Sequence, residues 1–421
     1  MKINIKHLLP VTLLSSLIII FSCEKSITDD QPGDPVDIFT EPYQKEVIDS
    51  ANKFAFDLFK PVIADAKGTE NILISPFSIT SALSMTLNGA AGETFAAMRK
   101  ALRFEDKTIQ EINETYLKLM TEMVPVDKRI ILEIANSVWV EKRLIVKEPF
   151  ITALETWYKA EARNIDVKDP GAVDMVNVWI AEKTHDKITD MLDYLNPDLA
   201  MLLINAVYFN GKWRYRFDED DTSDEPFYVT PTSPKNVPMM HQTENLRAAK
   251  DNNITIVDIP YGQGNYSMLV VLPDEDVTPS DVADVLTPLQ WNEWMELLAN
   301  NNTHKVELSM PKFKYEYKRQ LKNDLIDLGM GIAFSDWADF SNISEQDLKI
   351  SRVIHQSFIE TNEEGTEAAA ATIVEIVFVT SELQPTAWKV NIDRPFLYFI
   401  HETSTGTVLF MGRVSDPLII E

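Results

Sequence analysis

Hydrophobic and polar positions follow two different periods along this chain, and the period changes between its two halves. In the first half, apolar residues recur every three to four positions, as in amphipathic helices. The second half holds short apolar runs rich in β-branched and aromatic residues, which favour strands. The predicted helices are Val47–Ala66, Ser78–Asn88, Phe150–Ala162 and Val173–Leu192. The predicted strands are Asn71–Ile74, Ile130–Val140, Leu202–Phe209, Ile254–Pro260, Ser267–Leu272, Val306–Met310, Leu397–Ile400 and Val408–Val414.

Glu363–Thr380 has the most unusual pattern of the chain, because it suits two conformations. Read with period two, it has one face without charge, whereas Glu367 and Glu375 both fall on the other face. The uncharged face consists of Thr366, Ala368, Ala370, Thr372, Val374 and Ile376. This alternation predicts a strand with one buried face, although the alanine-rich first half favours a helix. We interpret the segment as a mobile loop that can become a sheet strand. An exposed amphipathic helix followed by a hydrophobic strand is the alternative.

The first 23 residues have the pattern of an export signal. Two lysines give a basic start, and a mostly apolar run through Phe21 precedes Cys23. The run is too short to span a bilayer comfortably. Ile20–Cys23 resembles a bacterial lipobox, in which the cysteine becomes the lipidated first residue of the mature protein. We therefore predict a lipoprotein signal peptide over residues 1–22 and lipidation at Cys23, with plain secretory cleavage near Ser22 as the alternative.

This signal predicts an exported bacterial protein, attached by its lipid to the outer membrane or cell surface. Without the lipid, the protein is expected to be secreted or periplasmic. Cys23 is the single cysteine of the chain, so no internal disulfide can stabilise the fold. Residues 23–42 are polar and rich in proline, which predicts a flexible tether. Residues 43–421 contain no second linker and no internal repeat, so they are predicted to form one α+β domain with antiparallel or mixed sheets.

Charge and motif content exclude several functions. The formal net charge of −26 argues against nucleic acid, whose phosphates would be repelled, and is equally compatible with a role in solubility. The six histidines have no paired spacing, so we expect no metal site and no cofactor. The motifs of serine hydrolases, zinc proteases and phosphate-binding loops are missing. Gly262-Gln263-Gly264 lies between two predicted strands, which indicates a hairpin turn and not a phosphate site.

Four motifs resemble those of the serpin family and stand in the family's order. Glu363–Thr372 (EEGTEAAAAT) is similar to the hinge of the serpin reactive loop. Asn205–Trp213 (NAVYFNGKW) resembles a strand and turn of the family, and Ile74–Ile79 (ISPFSI) resembles the segment that opens its second helix. Arg394–Val414 is similar to the C-terminal signature. Because these motifs span nearly all of residues 43–421, the chain is identified by resemblance as a member of the serpin family.

The resemblance implies a fold of three β-sheets and eight to nine helices, with an exposed reactive loop at about residues 363–385. It also implies an irreversible suicide-substrate inhibitor and not an enzyme. A serine protease cleaves the loop and forms an acyl-enzyme. The freed loop then inserts as a new central strand of the main sheet and carries the protease with it. The implied partner is therefore the target protease in a covalent complex, and the free inhibitor is expected to be a monomer.

In the family, the hinge is the part of the loop that inserts first. The resemblance places it at Glu363, Glu364, Gly365, Thr366, Glu367, Ala368, Ala369, Ala370, Ala371 and Thr372. Gly365 supplies the freedom to pivot. The uncharged face would be buried on insertion, and a charge there would be costly. Because that face carries none, we predict an active inhibitor.

Family spacing places the cleaved bond about fourteen residues beyond the hinge glycine, between Val379 and Thr380. A small β-branched residue before the bond suits the shallow apolar pocket of elastase-like proteases. Cleavage after Phe378 is the rival prediction and would indicate chymotrypsin-like targets. The segment from Thr380 to Arg394 is a few residues longer than is usual in the family, which leaves the position of the bond open.

The resemblance also assigns roles beneath the main sheet. It places four residues in a polar cluster, the shutter, where the sheet opens: Ser75, Ser78, Asn205 and His355. Trp213 is placed at the breach, where the loop first inserts, as a packing residue. Two other function classes stay open, a non-inhibitory serpin that acts as a binding module, and an acidic surface-tethered enzyme or glycan-binding protein. Papain-like proteases are further candidate targets.

Overall fold

The computed structural model describes residues 33–301, 303–366 and 387–418 of the chain. In these residues, helices pack around hydrogen-bonded sheets in an α+β arrangement. The helices are α1 (Pro42–Asp65), α2 (Pro76–Leu87), α3 (Gly92–Ala101), α4 (Ile109–Val126), α5 (Glu148–Tyr158), α6 (Ala172–Lys183), α7 (Pro279–Val285), α8 (Pro288–Asn300) and α9 (Lys322–Leu325). The strands are β1 (Ile72–Ile74), β2 (Ile130–Glu141), β3 (Glu161–Ile165), β4 (Met201–Lys212), β5 (Ser223–Thr230), β6 (Ser233–Asp251), β7 (Ile254–Tyr261), β8 (Tyr266–Pro273), β9 (His304–Pro311), β10 (Phe313–Gln320), β11 (Ile354–Thr361), β12 (Gly365–Thr366), β13 (Trp388–Asn391), β14 (Phe396–Glu402) and β15 (Val408–Val414).

The main sheet has six strands in the order β10-β11-β12-β4-β2-β3. β2 and β4 form a long antiparallel pair, and β10 and β11 form another. β12 consists of only Gly365 and Thr366, and it pairs antiparallel with both β11 and β4. β4 and β11 therefore run parallel to each other, with a two-residue strand between their C-terminal ends.

The second sheet has nine strands, in the order β1-β15-β14-β8-β7-β6-β9-β13, with β5 paired to β6. β6 is 19 residues long, and its first part pairs with β5 and β9 while its last part pairs with β7. It thereby joins two smaller sheets. The predicted α+β fold with three sheets is confirmed, with two of the sheets sharing β6, and the described residues hold nine α-helices.

Along each strand of the main sheet, successive side chains point to opposite faces, and each face packs against a different hydrophobic core. On β2, Val138 points into the larger core, whereas Trp139 points into a smaller core under α6. There the Trp139 ring contacts Trp179 edge to face, with ring centroids 6.3 Å apart. The larger core is shared with the second sheet and with α1, α2 and α4. This alternation decides which side chains of β4 and β11 are buried beneath the main sheet.

Two predicted helices end earlier than expected. α6 ends at Lys183 and not at Leu192, because His185 and Asp186 have φ angles of 50° and 61°. α5 ends at Tyr158 and not at Ala162, because Lys159 has a φ of 53°. A single residue in the left-handed region is a common helix ending, and apolar periodicity does not report it.

Residues 33–42 lie against the body, contrary to the flexible tether predicted for residues 23–42. The Val36 backbone is hydrogen-bonded to the Asn265 side chain, the Ile38 side chain is buried, and α1 already begins at Pro42. Prolines keep this segment extended, and an extended segment can dock through its own backbone. The predicted signal peptide, Cys23 and the tether up to residue 32 fall outside the described residues. In the described part of the chain, no helix is both long and apolar enough to cross a bilayer.

Candidate functional site

Asn362–Thr366 form a tight turn, here called the hinge turn, that leads from β11 into β12. The Asn362 backbone N–H donates to the Gly365 carbonyl at 2.9 Å. The Asn362 side-chain Oδ1 accepts from the Glu364 N–H at 3.0 Å. An Asn side chain that binds the backbone two residues later is a typical turn former. The turn directs the chain back between β11 and β4.

Gly365 is required by the close approach of the hinge turn to β4. Its φ is +155°, and a Cβ at this position would lie 2.0 Å from the Gly211 carbonyl oxygen and 2.7 Å from Lys212 Cα. Real Cβ atoms do not approach backbone so closely, so any side chain would push β12 out of the sheet. The sequence suggested conformational freedom as the role of Gly365, and the structure adds this steric one.

Thr366 points beneath the main sheet and is 3% exposed. Its hydroxyl lies 2.6 Å from the Tyr261 hydroxyl and 3.4 Å from the Thr361 hydroxyl. The side chain is therefore buried and hydrogen-bonded in the breach. Because side chains alternate along a strand, Thr366 fixes which parity of a longer β12 would face the larger core.

Two carboxylates tie the hinge turn to neighbouring elements. Buried Glu363 lies 2.7 Å from Lys312 Nζ and accepts from the Thr222 hydroxyl at 2.8 Å. Burial raises the pKa of Glu363, but hydrogen bonds from Lys312, backbone and Thr222 outweigh this effect, so the pKa lies below its ordinary value. Glu364 accepts from one guanidinium nitrogen of Arg216, at 2.9 and 3.1 Å to its two oxygens.

Trp213 binds the hinge turn from β4's side of the breach. Its backbone N–H donates to the Glu364 carbonyl and its indole Nε1–H donates to the Asn362 carbonyl, both at 2.9 Å. The indole stacks on the Tyr261 ring with centroids 4.3 Å apart and planes 10° apart. The residue predicted for packing thus also satisfies two backbone acceptors of the turn.

His355 lies in the predicted shutter, buried beneath β11. The Ser75 backbone N–H donates to His355 Nε2 at 3.0 Å, and the Ser357 hydroxyl lies 2.7 Å from the same nitrogen. Burial lowers the pKa of His355 to about 3. The ring is therefore neutral at physiological pH, and its Nε2 acts as an acceptor.

The other shutter residues connect α2 to β4. Ser78 donates its backbone N–H to Ser75 Oγ and its hydroxyl to the Asn205 carbonyl, both at 3.3 Å. The Asn205 side chain donates from Nδ2 to Asn136 Oδ1 at 2.7 Å. Its Oδ1 is buried and has no hydrogen-bond partner among the described residues. The structure brings together all four predicted shutter residues and leaves the buried Asn205 Oδ1 without a hydrogen-bond partner among the described residues.

A cavity of about 530 Å³ continues from the shutter along the space between β4 and β11. Its walls include residues 201–205 of β4 and residues 350–356, which lead into β11. α2 contributes Ser78, Ile79 and Leu83 to the floor. We call this space, from the hinge turn to the cavity, the lane. It has the position that a longer β12 would occupy.

Several predicted site residues lie outside the described part of the chain. They are Glu367, Ala368, Ala369, Ala370, Ala371, Thr372, Phe378, Val379, Thr380 and Cys23. Conversely, the sequence analysis missed Tyr261, Lys312, Arg216 and Asn136, which have no motif to mark them. Within the residues that the structure covers, no three His, Asp or Glu side chains are grouped as metal ligands.

The sequence and the fold of this chain are similar to those of known proteins. A family model described as "Serpin (serine protease inhibitor)" matches residues 49–417. An uncharacterized serpin-like protein of Methanosarcina acetivorans is 35% identical over 380 residues, covering 87% of both chains. The leukocyte elastase inhibitor of Sus scrofa is 35% identical, covering 88% of this chain and all of its own. The crystal structure of the thermophilic serpin tengpin in its native state superposes with a TM-score of 0.81 at 32% identity, covering 93% of this chain and 98% of tengpin.

Proposed function

The chain belongs to the serpin family, and on that premise we propose that it is an irreversible inhibitor of elastase-like serine proteases. It acts as a suicide substrate and not as an enzyme. The observation that carries the proposal is β12, because two residues of the predicted loop already lie between β11 and β4. Cleavage beyond them would free the rest of the loop to extend this strand.

The register of β12 sets the position of each inserted residue. Thr366 pairs with Gly211 and Thr361, so an antiparallel extension places Thr372 between Asn205 and His355, six residues along each strand. Thr372 shares the parity of Thr366 and would face the larger core. Thr372 would then lie beside the Asn205 side chain, whose Oδ1 has no hydrogen-bond partner among the described residues, and this supports the shutter as the point where the inserted strand is fixed.

The breach contacts explain why the hinge turn is stable before cleavage. Lys312 and Arg216 each pair with one hinge carboxylate, and Trp213 holds two carbonyls of the turn. Glu367 and Glu375 belong to the other parity, so insertion would leave both on the opposite face of the sheet. No charge of the loop would need to enter the larger core, and this favours rapid insertion over hydrolysis of the acyl-enzyme.

The target class rests on the residue before the cleaved bond. Val379 suits an elastase-like pocket, and a relative from Sus scrofa is named as a leukocyte elastase inhibitor. Cleavage after Phe378 would make chymotrypsin-like proteases the targets, and they are the second candidate.

We also propose that the protein is exported and lipidated at Cys23. A Cys23→Ser variant tests this proposal, because the protein should then be released from the membrane fraction.

The direct experiment mixes the protein with pancreatic elastase and, separately, with chymotrypsin. A complex with elastase that resists heat and detergent, together with a released peptide that begins at Thr380, is expected. A stable complex with chymotrypsin and a peptide that begins at Val379 would move the bond to Phe378. Cleavage of the loop by both proteases without any stable complex would contradict inhibition and favour a binding module.

A further inference from the structure

Gly33–Ile38, here called the strap, is bound to the body through its backbone. Asn265 is fully buried, and its side chain donates from Nδ2 to the Val36 carbonyl at 2.6 Å while its Oδ1 accepts from the Val36 N–H at 3.2 Å. The Ile38 N–H donates to Ser404 Oγ at 3.0 Å, and the Ile38 side chain is 6% exposed. A single amide thus satisfies both polar groups of one residue, as a neighbouring strand would.

The strap binds mainly to the turn between β7 and β8, residues 262–265. Asn265 belongs to this turn, and the Arg214 guanidinium links the turn to the strap, because it donates to the Gly33 carbonyl at 3.0 Å and also to the Gln263 carbonyl. The Thr403 hydroxyl donates to the Gly264 carbonyl at 3.1 Å, next to Ser404. The strap therefore connects the β7–β8 turn with the residues that follow β4 and β14.

The other side of the same turn faces the breach. Tyr261, directly before the turn, is hydrogen-bonded to Thr366, and the Gly262 N–H donates to the Lys212 carbonyl at 2.8 Å. Lys212 is the residue of β4 that pairs with Gly365. Arg214 follows Trp213, which holds the hinge turn. One short turn thus contacts the strap on one side, and on the other side it contacts Lys212, the partner of Gly365, and follows Tyr261, the partner of Thr366.

We propose that the strap stabilises the state in which only Gly365 and Thr366 are inserted, and slows insertion of the rest of the uncleaved loop. Insertion beyond Thr366 requires β4 and β11 to move further apart along the lane, and the β7–β8 turn and Arg214 must follow the end of β4. The strap opposes that movement because it connects Arg214 and the β7–β8 turn to Ser404, in the turn that follows β14, and because it leads directly into α1. This inference rests on the proposed loop insertion, and it assigns to residues 33–38 a regulatory role in it.

The test follows the inhibitory activity of the full chain over time at a fixed elevated temperature. Ile38→Asp places a charge at a buried position of the strap, and Phe39→Asp is the matched control, because Phe39 is 70% exposed. Ser404→Ala removes the acceptor of the Ile38 N–H, together with the hydrogen bond that the same hydroxyl donates to Glu402. One intramolecular hydrogen bond changes an equilibrium constant by roughly two- to tenfold. We expect Ser404→Ala to shorten the half-life of activity by a factor in this range, and Ile38→Asp by about tenfold or more.

Freshly prepared variants should inhibit as the parent does, and the activity that is lost should reappear as a form that resists unfolding in urea. Equal half-lives for Ile38→Asp, Ser404→Ala and Phe39→Asp would overturn the proposal, as would loss of activity through aggregation with no urea-resistant form. Failure of the parent protein to inhibit any serine protease would instead contradict the proposed function. The two failures are therefore distinguishable.

Discussion

His355 makes the stability of the uninserted state dependent on pH. Its pKa is about 3 in the folded protein, against roughly 6.5 for a histidine in an unfolded chain. Only the unfolded state binds the proton between these values, so stability is complete above about pH 6.5 and falls as the pH is lowered towards 3. At pH 5 the loss is about 2 kcal/mol from this residue, at about 1.4 kcal/mol per pH unit.

Urea unfolding at pH 7 and at pH 5 measures this effect. In a His355→Gln variant the decrease between the two pH values should be smaller by about 2 kcal/mol. Carboxylates contribute equally to both proteins and cancel in the difference. An unchanged pH dependence in the variant would show that His355 is not the group responsible.

Lys312 is predicted to stabilise the hinge turn more than an ordinary surface lysine. In Lys312→Ala, the Glu363 carboxylate would stay buried with only Thr222 and backbone as partners, which should lower the free energy of unfolding by about 1–3 kcal/mol. Lys314→Ala is the control, because Lys314 on β10 pairs with the partly exposed Glu360 on the neighbouring strand β11. That pair should contribute about 0–1 kcal/mol. Equal losses in the two variants would contradict a special role for the breach pair.

At the residue scale, the family motifs contain part of the candidate site. The remaining site residues are marked neither by a motif nor by the hydrophobic pattern of their own segment. Ser75 and Ser78 lie in one motif, and Asn205 and Trp213 in another, so the motifs contain three shutter residues and one breach residue, whereas His355 lies outside all four motifs. Tyr261, Lys312 and Arg216 reach the hinge turn from separate segments of the chain. Such partners follow from tertiary packing, which periodicity and local spacing do not encode.

At the scale of elements, the period-two pattern of the loop is the property that decides its function. Thr366→Arg would place a charge beneath the main sheet next to Tyr261, whereas Glu367→Arg would place it on the opposite face. Because burying an unpaired charge costs several kcal/mol, we expect Thr366→Arg to be cleaved as a substrate, with the inhibitor consumed per protease rising about tenfold or more. Glu367→Arg should stay within about twofold of the parent. This ratio is measured by titrating elastase, and a stable complex at parental yield in Thr366→Arg would refute the assigned parity.

Strand positions were predicted better than element ends. β7, β8, β14 and β15 contain the predicted strands, since short apolar runs rich in β-branched and aromatic residues are typical of buried strands. The ends of α5 and α6 depend on single left-handed residues, and these carry no apolar signal. The strap was mistaken for a tether, because its composition is that of a linker and its binding partner, Asn265, is distant in the sequence.

At the scale of the whole molecule, the main sheet holds only two residues of the strand between β4 and β11. β4 and β11 are parallel neighbours with two residues of β12 between them and a cavity of about 530 Å³ further along the lane. A complete β12 would fill this lane and pair with both strands. The uninserted protein is therefore expected to be less stable than the inserted one, and under the proposed function that difference would supply the free energy for trapping a protease.

Comparison of urea unfolding before and after cleavage of the loop tests this central claim most directly. The loop is cut with catalytic amounts of a protease that is not inhibited, and the far-UV circular dichroism is followed for intact and cleaved protein. We expect a large shift of the unfolding midpoint to higher urea after cleavage of the parent and of Glu367→Arg, and a much smaller shift for Thr366→Arg. Identical midpoints for the intact and the cleaved parent would show that the loop does not insert, and would contradict the account.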